Sequence, residues 1–433
     1  MIHNNRGVLA LLFLFMVAEL LAQQPLSFSR QEAEAVFLKQ NLSLIAEKLE
    51  IPKAEAVVLQ AKLWPNPTLS VEEVNLWASS KQIEVAGEEL PPLFGNWGKH
   101  QQFSIGLEQL IQTAGKRKKL MALEQVSADK AAQYFEDLLR NLKIEFRNQL
   151  TELQFLQFHK KVYDSQIDAI NQLTQSYGKQ VELGHIPKGE FIRLKALELQ
   201  FVKSSKDLGN EINEAQKELK QLMRLSAETN LVITEEDFLI NADPFKLLNL
   251  NRLIESAKEN RADLKITELE RLQYQKLYDF EKAQRTPDIN LKAGYDRGGN
   301  ILYNFIGFGF DIDLPIFNRN QGNIKAAKIG IEQSEFIYEE KTLSIENELV
   351  MAYQNLAEAI AFFEKIDPEY ENTLDTLLDS YIKNFRDRNI SLLEFIDFLE
   401  AYMDNKEIIL EAGKEVHQRA EALNYAIGHD VIK

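Results

Sequence analysis

Six histidines and no cysteine are what this chain of 433 residues offers to metal or acid–base chemistry. The histidines are His3, His100, His159, His185, His417 and His429, and no two stand at a spacing that sets paired ligands on one helix face. Without cysteine there are no disulfides, no thiolate metal sites and no thiol nucleophile. Gly294, Gly298 and Gly299 lie beside a strand-like segment, but no phosphate-loop lysine and serine follow, so they serve a turn. The reading is therefore no enzyme, no cofactor and no metal. Two charged groupings remain. Lys116 to Lys119, "KRKK", opens a predicted helix and fits either a solvated face or a place beside anionic lipid headgroups. Glu394 and Asp397 are three apart and share one helix face, the usual place of a solvated acid pair. The formal net charge of −16 argues against a nucleic-acid partner, which needs a basic footprint.

The elements that would position such residues come in two rounds. "FSIGLEQLIQTAGKRKKLMALEQV" from Phe103 is echoed by "IGFGFDIDLPIFNRNQGNIKAAKI" from Ile306. Each copy alternates apolar and polar residues, turns, and runs into a long helical segment. Each is preceded by another alternating segment that opens on proline, "PNPTLSV" from Pro65 and "PDINLKAGY" from Pro287. The organisation expected is a signal peptide over 1–22, a first repeat over 23–240, a connector over 241–251 around Pro244, and a second repeat over 252–433. Strands are expected near 66–76, 101–111, 287–296 and 304–314. The signal rests on Arg6 followed by an apolar run to Leu21, broken by Glu19, with Ala22 as the cleavage residue.

Between Lys116 and Tyr177 there is neither glycine nor proline, which as a helix would run roughly 90 Å. Leu138, Leu142, Phe146, Leu150, Leu153 and Leu156 step by fours and threes. Leu208 to Leu222 and Ile345 to Phe363 repeat that spacing, the signature of helices packed at coiled-coil intervals. A plain helical bundle gives the same stripes. The interruptions at Tyr177–Phe191 and Tyr381–Phe395 match in spacing and read as hairpin tips, near 184–188 and 386–391. Asn389 and Ser391 can turn and cap the second.

In the strands, Phe103, Ile105 and Leu107 alternate with Ser104, Gly106 and Glu108, and Ile306, Phe308, Phe310 and Ile312 with Gly307, Gly309 and Asp311. A barrel strand in lipid needs this dyad pattern over ~10 residues; a half-buried soluble sheet gives it too. Trp64, Trp77 and Trp97 sit in or beside the first strand pair, and Tyr295, Tyr303 and Phe305 flank the second, as at a membrane boundary. No stretch after the signal is long and apolar enough for a membrane helix, so a membrane reading requires a closed barrel. Four strands cannot close one, because the smallest have eight. Three copies would supply twelve.

The order, duplication and spacing of these motifs resemble the TolC-like outer-membrane efflux family over the whole mature chain. "LWPNPTLS" from Leu63 resembles that family's entry to its first strand, and "DIDLPIFNRNQGNIKAA" from Asp311 its strand-to-helix junction. The resemblance implies a mainly helical fold with a membrane β part. Long coiled-coil helices would form an α-barrel, and four strands per protomer would enter a twelve-stranded barrel shared by a homotrimer. It implies a passive exit duct of a tripartite efflux or type I secretion system. The duct would sit in the outer membrane of a Gram-negative bacterium, with a periplasmic helical extension. Its partners would be a periplasmic membrane-fusion adaptor, an inner-membrane transporter of RND or ABC type, and outer-membrane lipid, and its cargo small molecules or metal ions. On that resemblance Glu394 and Asp397 would ring the periplasmic gate. Gly184, His185, Ile186 and Pro187, with Arg388, Asn389 and Ile390, would form the adaptor-docking tips. Phe103, Ile105, Leu107, Ile306, Phe308, Phe310 and Ile312 would face lipid. The rival reading is an exported periplasmic coiled-coil scaffold or adaptor without a pore. Adaptors carry one helical hairpin among β-rich domains, whereas this chain carries two hairpins.

Overall fold

A computed structural model describes residues 25–75, 79–81, 84, 92–94, 101–234, 243–297 and 304–432. The expected signal segment, Trp77, Trp97, Tyr303, Gly298, Gly299, His3, His100 and Asn241 lie outside them. The chain folds as two compact units, one made of 48–134 and 263–341, the other of 1–47, 135–262 and 342–433.

The first unit holds a four-stranded antiparallel sheet. Its strands are β2 (Thr68–Asn75), β3 (Gln102–Ile111), β5 (Ile289–Arg297) and β6 (Phe305–Ile312), in the order β2-β3-β5-β6. Its helical parts come from α2 (Leu42–Lys62), α3 (Lys116–Glu182), α6 (Ala262–Gln284) and α7 (Gln321–Phe363). Lys130 pairs with Glu270 at 3.0 Å between α3 and α6, and Arg271 with Glu335 at 2.9 Å between α6 and α7. The Tyr274 ring lies so close to Gly330 that an added Cβ would meet it at 2.4 Å, so glycine lets α6 and α7 approach there. Lys116 starts α3 as expected but is buried, not solvated. Its ammonium pairs with Asp288 at 2.8 Å, and Asp288 also accepts the Thr113 N–H at 2.8 Å. A buried lysine needs such a partner.

The second unit is helical. It contains α1 (Arg30–Gln40), most of α3, α4 (Lys188–Leu222), α5 (Leu250–Asn260), the C-terminal half of α7, α8 (Pro368–Arg386) and α9 (Leu392–Ile427). The short strands β1 (Leu26–Phe28) and β4 (Leu231–Ile233) pair in parallel. The free edge of β4 is covered by side chains: Gln157 donates to Leu231 O and accepts from Ile233 N, and Gln216 accepts from Leu231 N. Phe146, Leu150, Leu153 and Leu156 of α3 are buried with Leu208, Ala215, Leu219 and Leu222 of α4, the stripes read from sequence. Arg147 gathers Glu34, Glu421 and Asp430 at 2.8–2.9 Å, tying α1, α9 and the C-terminal segment to α3. Burial alone would raise the Asp430 carboxyl, but hydrogen bonds from Arg147 and Lys143 hold it below the usual range.

Two features depart from the expectation. The second arm is not one rod: α7 ends at Phe363 and α8 begins at Pro368. Proline has no N–H to continue the ladder, and Asp367 caps the new helix by accepting from Glu369 N at 2.9 Å. The region expected as a connector is partly helical, with a turn at Asp243–Lys246 and α5 starting at Leu250.

Candidate functional site: the exposed sheet and the hairpin tips

Cross-strand register decides what each face of the sheet presents, because directly paired residues point the same way. Leu69, Leu107, Ala293 and Phe308 form one row, and Val71, Ile105, Tyr295 and Ile306 the next. Leu291 with Phe310, and Ile289 with Ile312, extend the same face. Apart from Gln109, paired with Leu291, and the buried Arg297, paired with Phe103, it is apolar, and it is open: Phe308 is 85% exposed, Phe310 67% and Leu69 68%. Ile105, Leu107, Ile306 and Ile312 are exposed too, while Phe103 is half-buried against Tyr295 at 6.1 Å between ring centroids. The seven residues read as lipid-facing therefore share one face. The other face carries Ser70, Gly106, Gly294 and Gly307 in one row and Thr68, Glu108, Lys292 and Gly309 in another. Lys292 bridges Glu108 and Asp311, and Asn290 donates to Glu108 at 3.0 Å. A polar cavity of about 920 Å³ opens beside these groups, lined by Asn66, Glu108, Lys116, Asp288, Asp311 and Asp313.

The sheet is open at both edges among the described residues. The edge strand β2 follows α2 in sequence, and the edge strand β6 leads into α7. In this unit those two helices expose apolar side chains: Leu49, Leu59 and Leu63 on or just after α2, and Ile329 and Phe336 seven apart on α7. Sequence reading missed these residues because it followed the stripes that pack within the chain. Leu42, Ile45, Leu49, Ala56, Leu59 and Leu63, spaced by threes, fours and one seven, were the available signal.

The tips belong to the helical unit. At the first, Gly184 adopts φ +75° and donates to Val181 O at 3.0 Å, while His185 N–H reaches Gln180 O at 2.9 Å. At the second, Arg388 adopts φ +62° and donates to Phe385 O at 3.1 Å, while Asn389 N–H reaches Asn384 O at 2.8 Å. Both are the Schellman closure of a helix C-terminus. The side chains repeat the match: His185 Nδ1 lies 2.9 Å from Gln180 Oε1, and Asn389 Nδ2 donates to Asn384 Oδ1 at 3.1 Å. Ile186 is buried and Ile390 half-buried, so these two brace the tips from inside and leave the polar turn residues outermost.

The next helices start differently. Pro187 caps α4 with no side-chain bond. Ser391 and Glu394 form a full capping box, in which the Glu394 carboxylate accepts from both Ser391 N–H and Oγ at 2.8 Å. Those bonds, the backbone one foremost, hold the Glu394 carboxyl below its usual range. The structure thus gives Glu394 a local structural task. Asp397, one turn on, is exposed and has no hydrogen-bond partner among the described residues. Behind the tips Phe385 stacks between Tyr177 and Phe395, with ring centroids 5.1 and 4.6 Å apart. Among the described residues no His, Asp or Glu cluster stands where it could hold a metal ion, and no helix is long and apolar enough to cross a membrane.

Residues 253–375 match the outer membrane efflux protein family. The chain is similar to the cobalt-zinc-cadmium resistance protein CzcC of Cupriavidus metallidurans, 22% identical over 73% of this chain and 70% of that protein. Its fold is similar to that of CusC, whose crystal structures concern folding and transmembrane channel formation, with a TM-score of 0.69, 18% identity and 92% of each chain covered. It is similar also to the outer-membrane channel OprN, with a TM-score of 0.72, 14% identity and 93% and 90% of the two chains covered. The chain thus matches an outer membrane efflux protein domain over 253–375 and has the fold shared by CusC and OprN.

Proposed function

From a chain with that fold and that domain, we propose one protomer of a trimeric, passive exit duct in the outer membrane. The open apolar face carries the proposal. Nine large apolar residues on it are exposed: Leu69, Val71, Ile105, Leu107, Leu291, Ile306, Phe308, Phe310 and Ile312. Burial of such a side chain is worth ~1.5–3 kcal/mol, so even at half exposure the face forfeits on the order of 10 kcal/mol in water. That rivals the whole stability of an ordinary domain, ~5–15 kcal/mol. Lipid covers such a face without cost. Open edges are not tolerated in lipid, and copies joined β2 to β6 would close a twelve-stranded wall whose polar face lines the lumen. The same junction would bring α2 of one copy beside α7 of the next, both with apolar side chains to cover.

The two structural repeats would supply two hairpins per protomer, with tips toward a periplasmic adaptor and an inner-membrane transporter of RND or ABC type. Three Asp397 carboxylates would ring the narrow end, attracting cations, with Glu394 holding the turn that positions them. Cargo of small molecules or metal ions fits a passive duct, and the similarity to a cobalt-zinc-cadmium resistance protein supports metal cations. The test is fractionation followed by electrophysiology. The protein should stay with outer membranes through a carbonate wash, run as a trimer in mild detergent, and conduct in planar bilayers. Asp397→Ala should raise closed-state conductance and lower cation preference. Release by the wash as a soluble monomer would end the proposal.

A further inference from the structure

The helical unit has two apolar clusters, bridged by the partly buried Tyr163, and the fully buried side chains of α3, α4 and α9 between them are polar. One contains Phe155 and Leu156 of α3 with Leu208 and Leu219 of α4. The other, nearer the tips, contains Ile170 of α3, Phe201 of α4 and Tyr402 and Met403 of α9. Between Leu156 and Ile170 the buried residues of α3 are His159 and Gln166. Between Phe201 and Leu208 the buried residue of α4 is Ser205, and between Met403 and Ala412 that of α9 is Lys406. Gly209 leaves α4 without a side chain one turn beyond Ser205. The register that sets Gly184 on Arg388 and Ile186 on Ile390 sets Lys160–Tyr163 on the Glu364–Asp367 break between α7 and α8. All of these helical arms are thus weakened in one zone, by a polar core or by a missing turn.

His159 sits in that zone. Its ring lies 5.5 Å from Phe155 and 5.3 Å from Tyr163, and Tyr163 meets Phe201 of the tip cluster edge-on at 5.4 Å. The imidazole is 6% exposed, and its Nε2 is buried with no hydrogen-bond partner among the described residues. The charged groups facing it are Glu211 from α4 and Glu407, Glu411 and Lys414 from α9. On α3 itself, Lys160 pairs with Asp164 at 2.6 Å and Glu152 with Lys414 at 3.4 Å.

We propose that this zone is an acid-sensitive hinge, about which the tip half of the bundle moves when His159 takes up a proton. Neutral imidazole fills the gap between the clusters as one more ring in the Phe155–Tyr163 stack. Imidazolium leaves a buried N–H⁺ without an acceptor, and parting the helices admits water and the Glu407 and Glu411 carboxylates to it. Burial holds His159 below the ordinary histidine range, against the pull of those acids. Below about pH 6.5, where an exposed histidine protonates, the closed packing therefore loses ground to an opened one.

Hydrogen–deuterium exchange on the full-length protein in detergent or lipid tests this without assuming conduction. From pH 7.5 to 5.5, after correction for intrinsic rates, peptides over 157–169, 358–372 and 404–411 should exchange several-fold faster. Peptides of the tip cluster, 374–399, should hold their protection. His159→Phe and His159→Gln, which cannot protonate, should both abolish the acid response. Equal protection at both pH values in the native protein, or an acid response that survives in either variant, would overturn the hinge.

Discussion

The two helical hairpins reach the same turn with different residues. The first closes on Gly184, free to adopt a positive φ, and restarts on Pro187, whose fixed φ needs no side-chain bond. The second closes on Arg388, which is strained at φ +62°, and restarts on a Ser391–Glu394 box. The first arm descends as a single 67-residue helix, while the second is broken at Glu364–Asp367. Both tips share a side-chain bond across the turn, but the first relies more on backbone preference, and the second adds the Ser391–Glu394 box and contributes both Phe385 and Phe395 to the stack. That makes the second tip the more dependent on individual residues, and the one that conditions can loosen.

The largest effect should come from the stack. Phe385 is 1% exposed between Tyr177 and Phe395, while Val181 holds the matching position of the first hairpin. Phe385→Ala should cost ~3–5 kcal/mol through lost burial and a cavity. Val181→Ala should cost well under half of that. Urea unfolding of the two variants, followed by helical circular dichroism, would break the comparison if both lost the same stability.

The turns come next. Gly184→Ala forces a Cβ into the left-handed region and should destabilise by ~1–2 kcal/mol. Arg388→Gly should do the reverse, recovering up to ~1 kcal/mol less the added entropy of an unfolded glycine. Ser391→Ala removes the cap bonds and should cost ~1 kcal/mol. Pro187→Ala, with no cap bond to lose, should cost less. Opposite signs at Gly184 and Arg388, measured by midpoint shifts in urea, would sharpen the contrast. Equal signs would remove it.

Much of this was legible in the sequence because period and repetition carry it. The stripes at Phe146–Leu156 and Leu208–Leu222 named the buried faces, and alternation at Ile306–Ile312 named the face left open. The match of Tyr177 with Tyr381 pointed to the two helix breaks, between Glu182 and Lys188 and between Arg386 and Leu392. The break at Asp367–Pro368 was present as a cap-plus-proline signal but was overridden by the apolar stripe that runs to Phe363. The burial of Lys116 was not legible, since its partner Asp288 stands 172 residues away. The task of Glu394 could have been read from Ser391 three residues earlier, the capping-box spacing. The sequence reading placed it beside Asp397 at the gate and left the cap unread. The exposed faces of α2 and α7 are helical stripes without a partner in the same chain, so period alone could not say what covers them.

The smallest expected effect follows from that cap. Glu394 is fully exposed, and its carboxyl is held low by bonds from Ser391 that only the ionised form accepts fully. A group whose folded pKa is depressed contributes stability above its unfolded value, near 4.5 here, and loses it as pH falls through the folded one. Between pH 6 and pH 3 the first turn of α9 should therefore fray, while the first turn of α4, which begins on Pro187, should not. Exchange rates for residues 392–395 and 188–191, corrected for intrinsic chemistry, read this directly. In Glu394→Gln the amide oxygen can still accept from Ser391 but does not titrate, so α9 should keep one protection level across the range, lower than native at pH 6. A native α9 that frays no more than α4 would show that the box closes the turn without holding it, and that the two tips differ in residues alone.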